Sequence, residues 1–525
     1  MRRARSERKL VSSLYAWRYF DLSALALIVV VTVALDLLWM SIDTRPPYVD
    51  YARHLGDSLY YRSTFSFAHP LRPLTAYVLY PPFVYWVTDA FYAVLGTGQW
   101  VAVLSNIVFI SILVASTYGI GKRLWGRGVG LLAALFVLTT PMFTSMLKQY
   151  MLDAPLAAMV TAALYFLIRS ESFAHRRASL LLGAVCGLGL LTKVVFGLCF
   201  GLPALAAVGT AVAQARRERS AVRLVNMAAA GLVTFAISGV WYLHNWSQVM
   251  ADSHTSASYT GSVPGQPETG NLASVLWYFW NLVDNQLYLI PFCFLAVGVV
   301  YVFRRGESAA RNEPLVLTIV GTYISFTLLQ NKDYRYTMAM LPAAAIVGTH
   351  WLVYLRPAVR RRLGAGLVAY CVLAFAAISF GTSLLPQKIA IGLPVRPYTS
   401  NLYEYGAPVG ELVRGVVVFA QHGFYDYGKP TDTGWDEESA FKLISALGGR
   451  DATFVYRYDT DSMWFNTWAV RYWYLRYHLT WVANLDETNF VLIRQTGRPA
   501  TPAGFGLLRD YPLPDGGTLW LFRRH

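Results

Sequence analysis

Carboxylates and cations flank several long apolar runs of this 525-residue chain, at positions where charged side chains are expensive to bury and tend to be functional. A carboxylate can take a proton from a hydroxyl or an amine, whereas lysine and arginine can hold a departing phosphate through charge-assisted hydrogen bonds. Together these residue types suit group transfer from a phosphate-linked lipid. The candidates are Asp43, Arg45, Asp50, Asp57, Asp153, Lys193, Lys332 and Arg335.

Structural roles remain open for these residues. A loop aspartate is more often solvated or a helix cap than catalytic. Lys193 would also fit a side chain that extends from an apolar run to the membrane surface, and residues 332–335 would fit a short turn between two helices. Spacing alone therefore does not assign a role to any one of them.

The composition predicts a lipid-embedded protein. Hydrophobic residues make up 55% of the chain and charged residues 14%, with a mean hydropathy of +0.38. The formal net charge of +15 sits in short clusters between apolar runs, which disfavours a nucleic-acid-binding surface. The four cysteines all fall inside apolar runs, so the sequence predicts no disulfide framework and no cysteine-based metal site.

About eleven apolar runs approach the length of some 20 residues that a membrane-spanning helix needs. The first follows a basic N-terminus but is long and lacks a clear cleavage site, so we expect a retained helix and not a signal peptide. The runs lie near 23–41, 99–120, 127–146, 151–169, 179–194, 195–214, 224–243, 284–303, 313–330, 337–355 and 364–385.

Lysine and arginine clusters fall on every second connection between these runs, which predicts a cytoplasmic N-terminus and a cell-membrane protein that crosses many times. The topology gives a cytoplasmic tail at 1–22, a membrane domain at 23–385, exterior loops at 42–97 and 244–283, and an exterior domain at 386–525. All eight candidate residues then face the exterior.

The last segment reads as a small α/β domain. Residues 437–447 have a helical pattern, FVYRY and NFVLIRQ have strand patterns, and PDGG at 514–517 predicts a terminal hairpin. The predicted fold is therefore a polytopic α-helical membrane protein with about eleven spanning helices and a small extracytoplasmic α/β domain.

Five short motifs occur in order along the predicted exterior side. They are DTRPPYVDYAR at 43–53, YPPFVYW at 80–86, LDAPL at 152–156, GLGLLTK at 187–193, and NKDYRY at 331–336, the last followed by LPA at 341–343. In this order they resemble the membrane glycosyltransferases of the GT-C class, especially relatives of the protein O-mannosyltransferases and of the lipid A aminoarabinose transferases. The resemblance covers roughly residues 20–385.

The resemblance implies roles for particular residues. Aligned on Tyr48, Asp43 falls at the catalytic aspartate of the class after one extra residue, and Asp50 falls at a later glutamate; of these two candidate bases we favour Asp43. The implied binders of the donor phosphate are Lys193, Lys332, Arg335 and Tyr336. The residues expected to position the loop or the acceptor are Asp153, Arg45, Tyr80, Tyr85 and Arg72.

Two positions depart from the pattern of the class. Thr44 replaces the glutamate that usually follows the first aspartate, and Tyr80 replaces the lysine that precedes the proline pair. A cation expected near the phosphate is thus missing, and Arg72 or His69 would have to supply it.

The expected activity is transfer of a sugar from a polyprenyl-phosphate donor to a protein, lipid or glycan acceptor, with inversion at the anomeric carbon. Membrane lipids are expected around the protein, and no cofactor or metal is expected, although a carboxylate-bound divalent ion stays open. A secondary transporter or flippase is the alternative from another class, and an inactive assembly module with the same fold is a third. The sequence shows no repeated halves and no matching pair of interrupted helices, although both features are typical of secondary transporters.

Overall fold

The computed structural model describes residues 2–66, 68–260, 266–391, 416–421, 427–459, 462 and 464–525, with the backbone alone for 2–18. Helices dominate up to residue 380. The first ten are α1 (Arg2–Ile42), α2 (Val49–Thr64), α3 (Arg72–Thr75), α4 (Phe83–Leu95), α5 (Gln99–Leu104), α6 (Asn106–Trp125), α7 (Arg127–Leu138), α8 (Pro141–Met146), α9 (Asp153–Ser170) and α10 (Arg176–Leu190). The next seven are α11 (Phe196–Glu218), α12 (Val222–Ser258), α13 (Leu272–Asn281), α14 (Leu289–Arg304), α15 (Gly306–Leu328), α16 (Leu341–His350) and α17 (Pro357–Phe380).

Each of the apolar runs found in the sequence overlaps one of these helices, and the chain is a multi-pass membrane protein. Among the described residues, five helical stretches are long and apolar enough to cross a membrane: Tyr19–Ile42, Gln99–Trp125, Phe196–Glu218, Val222–Ser258 and Pro357–Phe380. The run at 127–146 is divided into two shorter helices, because the residue before Pro141 is extended and α8 begins at that proline. The count of about eleven spans stays a prediction.

Glycines allow several helices to approach closely. A Cβ at Gly298 in α14 would lie 1.9 Å from the carbonyl oxygen of Val347 in α16, and a Cβ at Gly183 in α10 would lie 2.3 Å from the carbonyl oxygen of Ala230 in α12. Small residues at such crossings are typical of helix packing in membranes, where dispersion contacts replace the hydrophobic effect. The membrane part is thus a tightly packed frame for the polar segments that connect its helices.

The segment predicted as the second exterior loop, 244–283, is largely helical. Helix α12 continues to Ser258, because Trp246, Val249 and Met250 extend the helical apolar pattern and residues 244–258 contain neither glycine nor proline. Helix α13 is capped by Asn271, whose side chain accepts a hydrogen bond from the backbone N–H of Ser274. Residues 261–265 of this loop lie outside the described part.

The C-terminal part contains a five-stranded mixed sheet, a separate antiparallel pair of strands (β1 and β2) and two helices. Its elements are β1 (Lys388–Ile391), β2 (Val416–Ala420), α18 (Glu437–Gly448), β3 (Thr453–Tyr458), α19 (Thr467–Arg476), β4 (Thr480–Trp481), β5 (Phe490–Gln495), β6 (Phe505–Pro512) and β7 (Thr518–Arg524). The order is β4-β3-β5-β7-β6, with β3 parallel to β4 and β5 and with β7 antiparallel to its neighbours. The predicted helix, both strands and the terminal hairpin are confirmed; residues 392–415 and 422–426 of the predicted domain lie outside the described ranges.

Helix α19 packs on α2, the first helix of the predicted exterior loop. Arg471 of α19 donates to the buried carboxylate of Asp57 at 2.5 Å, and the guanidinium of Arg53 lies 4.6 Å from the ring centre of Trp468. The C-terminal part therefore fixes the orientation of the helix on which Asp50 lies.

Candidate functional site

Charged side chains from four segments meet beside α2. Asp50 comes from its first turn, Asp153 begins α9, Lys193 lies in the turn between α10 and α11, and Arg335 lies between α15 and α16. Arg335 Nη2 is 2.5 Å from Asp50 Oδ2, and Arg335 Nη1 is 3.9 Å from Asp153 Oδ2. Lys193 Nζ donates to Asp153 Oδ1 at 2.8 Å. We call Asp50, Asp153, Lys193 and Arg335 the basic cluster, after its two cations.

The guanidinium of Arg335 is held in place within its own loop. Asp333 accepts a hydrogen bond from the backbone N–H of Arg335 at 3.0 Å and contacts Arg335 Nη2 at 3.1 Å. The Asp333 and Asp153 side chains are 3% exposed and that of Asp50 is 29% exposed, so the cluster opens to solvent on the side of Asp50.

Asp50 is held in its ionised form. Burial by itself raises the pKa of Asp50, but the opposing attraction of Arg335, with a smaller part from Arg53, leaves the pKa below its ordinary value. A carboxylate whose charge is balanced in this way is a weak proton acceptor. Asp50 is therefore better suited to orient Arg335 than to act as a general base.

Aromatic rings surround the ammonium of Lys193. Its Nζ lies 5.7 Å from the ring centre of Tyr80 and 5.8 Å from that of Tyr336. The Tyr80 ring also lies 5.0 Å from that of His54 and 5.6 Å from the guanidinium of Arg53. A lysine at position 80 would place a further positive charge among these groups, whereas the face of a tyrosine ring attracts cations.

Tyr85 lies beneath α2 and does not reach the basic cluster. Its hydroxyl is 2.9 Å from His54 Nδ1, and its ring stacks on Tyr61 at 5.3 Å. Tyr85 thus packs against His54 and Tyr61 of α2, which suits a residue that positions this helix.

Asp43 occupies a second position, directly after α1. Its Oδ1 accepts from Arg45 Nε and from the backbone N–H of Thr431, each at 2.8 Å. The Arg45 guanidinium lies 5.8 Å from the ring centre of Trp39 and 5.3 Å from that of Trp464. Asp43 and Arg45 are therefore fixed as a pair, and both line a pocket.

The carboxylate of Asp43 differs from that of Asp50 in its electrostatics. Burial raises the pKa of Asp43 above its ordinary value, and the attraction of Arg45 offsets only part of that effect. A raised pKa gives this carboxylate a stronger tendency to take up a proton near neutral pH.

Two residues expected at the site lie apart from the basic cluster. Lys332 donates from Nζ to the carbonyl oxygens of Phe326 and Thr327 at 3.1 and 2.7 Å, so it caps the end of α15. Burial lowers its pKa to about 8. Arg72 is exposed at the start of α3, and no hydrogen bond or ion pair joins its side chain to another described residue.

Several residues at the site were not selected from the sequence. Asp333 lies in the motif at 331–336, two residues before Arg335, and Arg53 lies in the motif at 43–53, three residues after Asp50. These short spacings could have indicated both residues. His54 and Arg471 had no such signal, because their partners are distant in sequence. Within the described ranges, no group of three or more His, Cys, Asp or Glu residues is arranged to hold a metal ion; independence from metal stays a prediction.

Comparison with solved structures identifies the class of the fold. The apo structure of ArnT from Cupriavidus metallidurans aligns with a TM-score of 0.58 over 97% of this chain and 98% of that chain, at 15% identity. ArnT from the same organism bound to undecaprenyl phosphate aligns with a TM-score of 0.50 over 68% of this chain and 66% of that one, at 19% identity. The chain has the fold of the GT-C membrane glycosyltransferases, and the resemblance drawn from the motifs is confirmed.

Sequence comparison gives particular relatives. Residues 80–242 match the family described as dolichyl-phosphate-mannose-protein mannosyltransferase. An undecaprenyl phosphate-alpha-4-amino-4-deoxy-L-arabinose arabinosyl transferase of Pectobacterium carotovorum is 23% identical over 344 residues, which cover 64% of this chain. The match spans 58% of the length of that relative.

Proposed function

We propose that the protein transfers a sugar from a polyprenyl-phosphate donor to an acceptor hydroxyl or amine at the exterior membrane face, with inversion at the anomeric carbon. The observation that carries this proposal is the meeting of Lys193 and Arg335 with Asp50 and Asp153, from four segments of the fold. The named relatives support it, since one acts with an undecaprenyl-phosphate sugar and another was solved with undecaprenyl phosphate.

The reaction exchanges one bond at the anomeric carbon for another. The acceptor atom attacks that carbon from the face opposite the phosphate, and the carbon–oxygen bond to the phosphate breaks. The electron pair of this bond leaves on the phosphate, which gains a negative charge, and the proton of the acceptor passes to a carboxylate. The protein thus needs a base on one side and cations on the other.

Asp43 fits the base better than Asp50 does. The pKa of Asp43 is raised by burial, and its hydrogen bonds come from Arg45 and from the backbone N–H of Thr431. Each carboxylate oxygen has two lone pairs, so the group can still accept the proton of the acceptor. Asp50 instead keeps Arg335 oriented, which is a positioning role.

Lys193 and Arg335 fit the departing phosphate. Both contact Asp153, and each keeps N–H groups with which it can donate to a phosphate oxygen while Asp153 stays in place as its counter-ion. The ring of Tyr336 lies over Lys193 and its hydroxyl is a further donor in this region. Lys332, with its ammonium on backbone carbonyls, contributes by holding the end of the loop that carries Arg335.

The membrane orientation belongs to the same proposal. The lysine and arginine clusters assign the N-terminus to the cytoplasm, which leaves Asp43, Lys193, Arg335 and the C-terminal part outside. A polyprenyl chain can then lie between helices with its phosphate at the exterior surface.

The test is cleavage of a radiolabelled polyprenyl-phosphate sugar by the purified full-length protein, with water as the acceptor of the sugar. We expect release of polyprenyl phosphate and a fall in rate of about 10²–10³-fold in the double variant Lys193→Gln with Asp153→Asn, which removes the ion pair without leaving a buried unpaired charge. Lys122→Gln, at the predicted cytoplasmic side, is the control and should keep the full rate.

Unchanged cleavage in the double variant would contradict the phosphate assignment. Solute uptake by reconstituted vesicles without any cleavage would favour a transporter over an enzyme.

A further inference from the structure

A pocket of about 280 Å³ opens between the first exterior loop and the start of α18. Asp43 and Arg45 line it from the loop, and Glu437, Glu438 and Lys442 line it from the helix. Small-ligand sites usually measure about 300–1,000 Å³, so this volume fits one compact group such as a sugar ring. Because the proposed base lies at its wall, the pocket is positioned to hold the molecule that is deprotonated.

Glu437 is a buried acidic residue of this pocket whose carboxyl group can bind a ligand. The residue is 4% exposed and lines the pocket, and no hydrogen bond or ion pair joins its carboxylate to another described residue. Its carboxylate accepts from the backbone N–H of Glu437 itself and keeps further lone pairs, to which a bound molecule with hydroxyl groups could donate. Burial also raises the pKa of Glu437 to about 8, so near neutral pH its carboxyl group can donate a hydrogen bond as well as accept one.

Each cation of the pocket has a partner among the described residues, although Nη2 of Arg45 makes none of these contacts and has no hydrogen-bond partner itself among them. Arg45 donates to the carboxylate next to it, Lys148 donates to a backbone carbonyl at 3.0 Å, and Lys442 lies 3.4 Å from Glu438. Four lining residues are acidic: Asp43, Asp436, Glu437 and Glu438. Arg45, Lys148 and Lys442 therefore give the pocket no excess of positive charge with which to bind a phosphate or a carboxylate.

Aromatic rings line much of the remaining wall. Trp100 is 47% exposed, and Trp435 and the indole of Trp473, whose N–H has no hydrogen-bond partner among the described residues, line the same pocket. Flat apolar faces beside carboxyl groups suit a sugar ring, which presents C–H groups on its faces and hydroxyls at its edge.

We propose that this pocket is the acceptor subsite and that it takes an uncharged sugar residue, with Glu437 binding its hydroxyl groups and Asp43 taking the proton of the reacting one. The assignment rests on the proposed function. The acceptor oxygen forms the new bond to the anomeric carbon of the donor, while the bond from that carbon to the phosphate oxygen breaks and its electron pair leaves on the phosphate.

The experiment uses full-length protein in lipid nanodiscs with methyl glucopyranoside as the probe and glucose 6-phosphate as its charged counterpart. Binding is followed by the fluorescence of the pocket tryptophans, and transfer by label passed from a polyprenyl-phosphate sugar. We expect the glycoside to bind at least about tenfold more tightly than the phosphate ester, a difference that one lost hydrogen bond to a charged group can produce.

Variants at position 437 separate binding from folding. Glu437→Met should weaken the glycoside about tenfold and raise its KM without changing the KM of the donor, whereas Glu437→Gln should retain most of the affinity because it can still hydrogen-bond. Glu487→Gln, at an exposed site outside the pocket, is the control. Neither variant at position 437 should lower the unfolding temperature, since each removes a buried acidic group that has no ion pair.

The possible results separate this assignment from the proposed function. Donor cleavage without binding or use of the glycoside, or tighter binding of the phosphate ester, would overturn the acceptor subsite while leaving the transferase intact. Glycoside binding that depends on Glu437, in a protein that never cleaves the donor, would support the sugar subsite and refute the transferase.

Discussion

At the scale of residues, two aspartates seven positions apart in one loop have opposite electrostatics. Asp50 shares a salt bridge with Arg335 and its pKa is lowered, whereas Asp43 is buried and its pKa is raised. The sequence left the choice of base between them open because both have the same side chain. The environment of each side chain, which the sequence does not specify, separates their roles.

The pH dependence of the reaction should report Asp43. Its base form is lost as the pH falls through its raised pKa, so kcat/KM should decline on the acid side at a pH above the value of about 4 of an ordinary aspartate. The measurement is kcat/KM for the donor from pH 4 to pH 8. The acid limb should persist in Asp50→Asn; its disappearance there would transfer the base role to Asp50.

At the scale of elements, α2 depends on α19. Asp57 of α2 has a side chain that is 2% exposed and an ion pair with Arg471, and α2 also carries Asp50 and His54. The sequence could not predict this contact, which joins residues more than 400 positions apart.

Arg471→Ala should destabilise the protein by about 2–3 kcal/mol, somewhat less than the loss for a fully buried pair because the Arg471 side chain is 22% exposed. The reason is that Asp57 keeps a buried charge without its partner. Thermal unfolding in detergent measures the effect, with the exposed Arg498→Ala as control. Adding Asp57→Asn should recover part of the loss; if it adds a further loss instead, the ion pair is not the cause.

Helix packing gives a second prediction at this scale. Gly298→Ala should destabilise the protein by about 1–3 kcal/mol, since the new methyl group meets the backbone of α16. Gly231→Ala in α12, where a Cβ meets nothing within 4 Å, should be neutral or stabilising by up to about 1 kcal/mol. Equal effects of the two changes on the unfolding temperature would contradict the close approach of α14 and α16.

At the scale of the whole molecule, the sequence predicted which charged residues lie near one another but not the contacts that each of them makes. The side of the membrane deduced from basic clusters grouped Asp50, Asp153, Lys193 and Arg335, which do meet in the structure. Lys332 was grouped with them but caps α15, because local backbone geometry decides where a long side chain ends. The position of Glu437 in the same pocket as Asp43 depends on how the C-terminal part packs on the first loop, which no local pattern encodes.

The topology can be checked directly. In a variant without the four native cysteines, Glu268→Cys should react with a membrane-impermeant maleimide added outside cells, and Glu218→Cys should react only after permeabilisation. Labelling of Glu218→Cys from outside would invert the orientation and move the site to the cytoplasmic face.

The most direct test of the central claim is a single-turnover measurement of sugar transfer by wild type and Asp43→Asn. The account predicts that wild type releases one polyprenyl phosphate for each glycosylated acceptor, and that Asp43→Asn binds the donor normally but transfers the sugar about 10²–10⁴-fold more slowly. Transfer by Asp43→Asn at the wild-type rate would contradict the account.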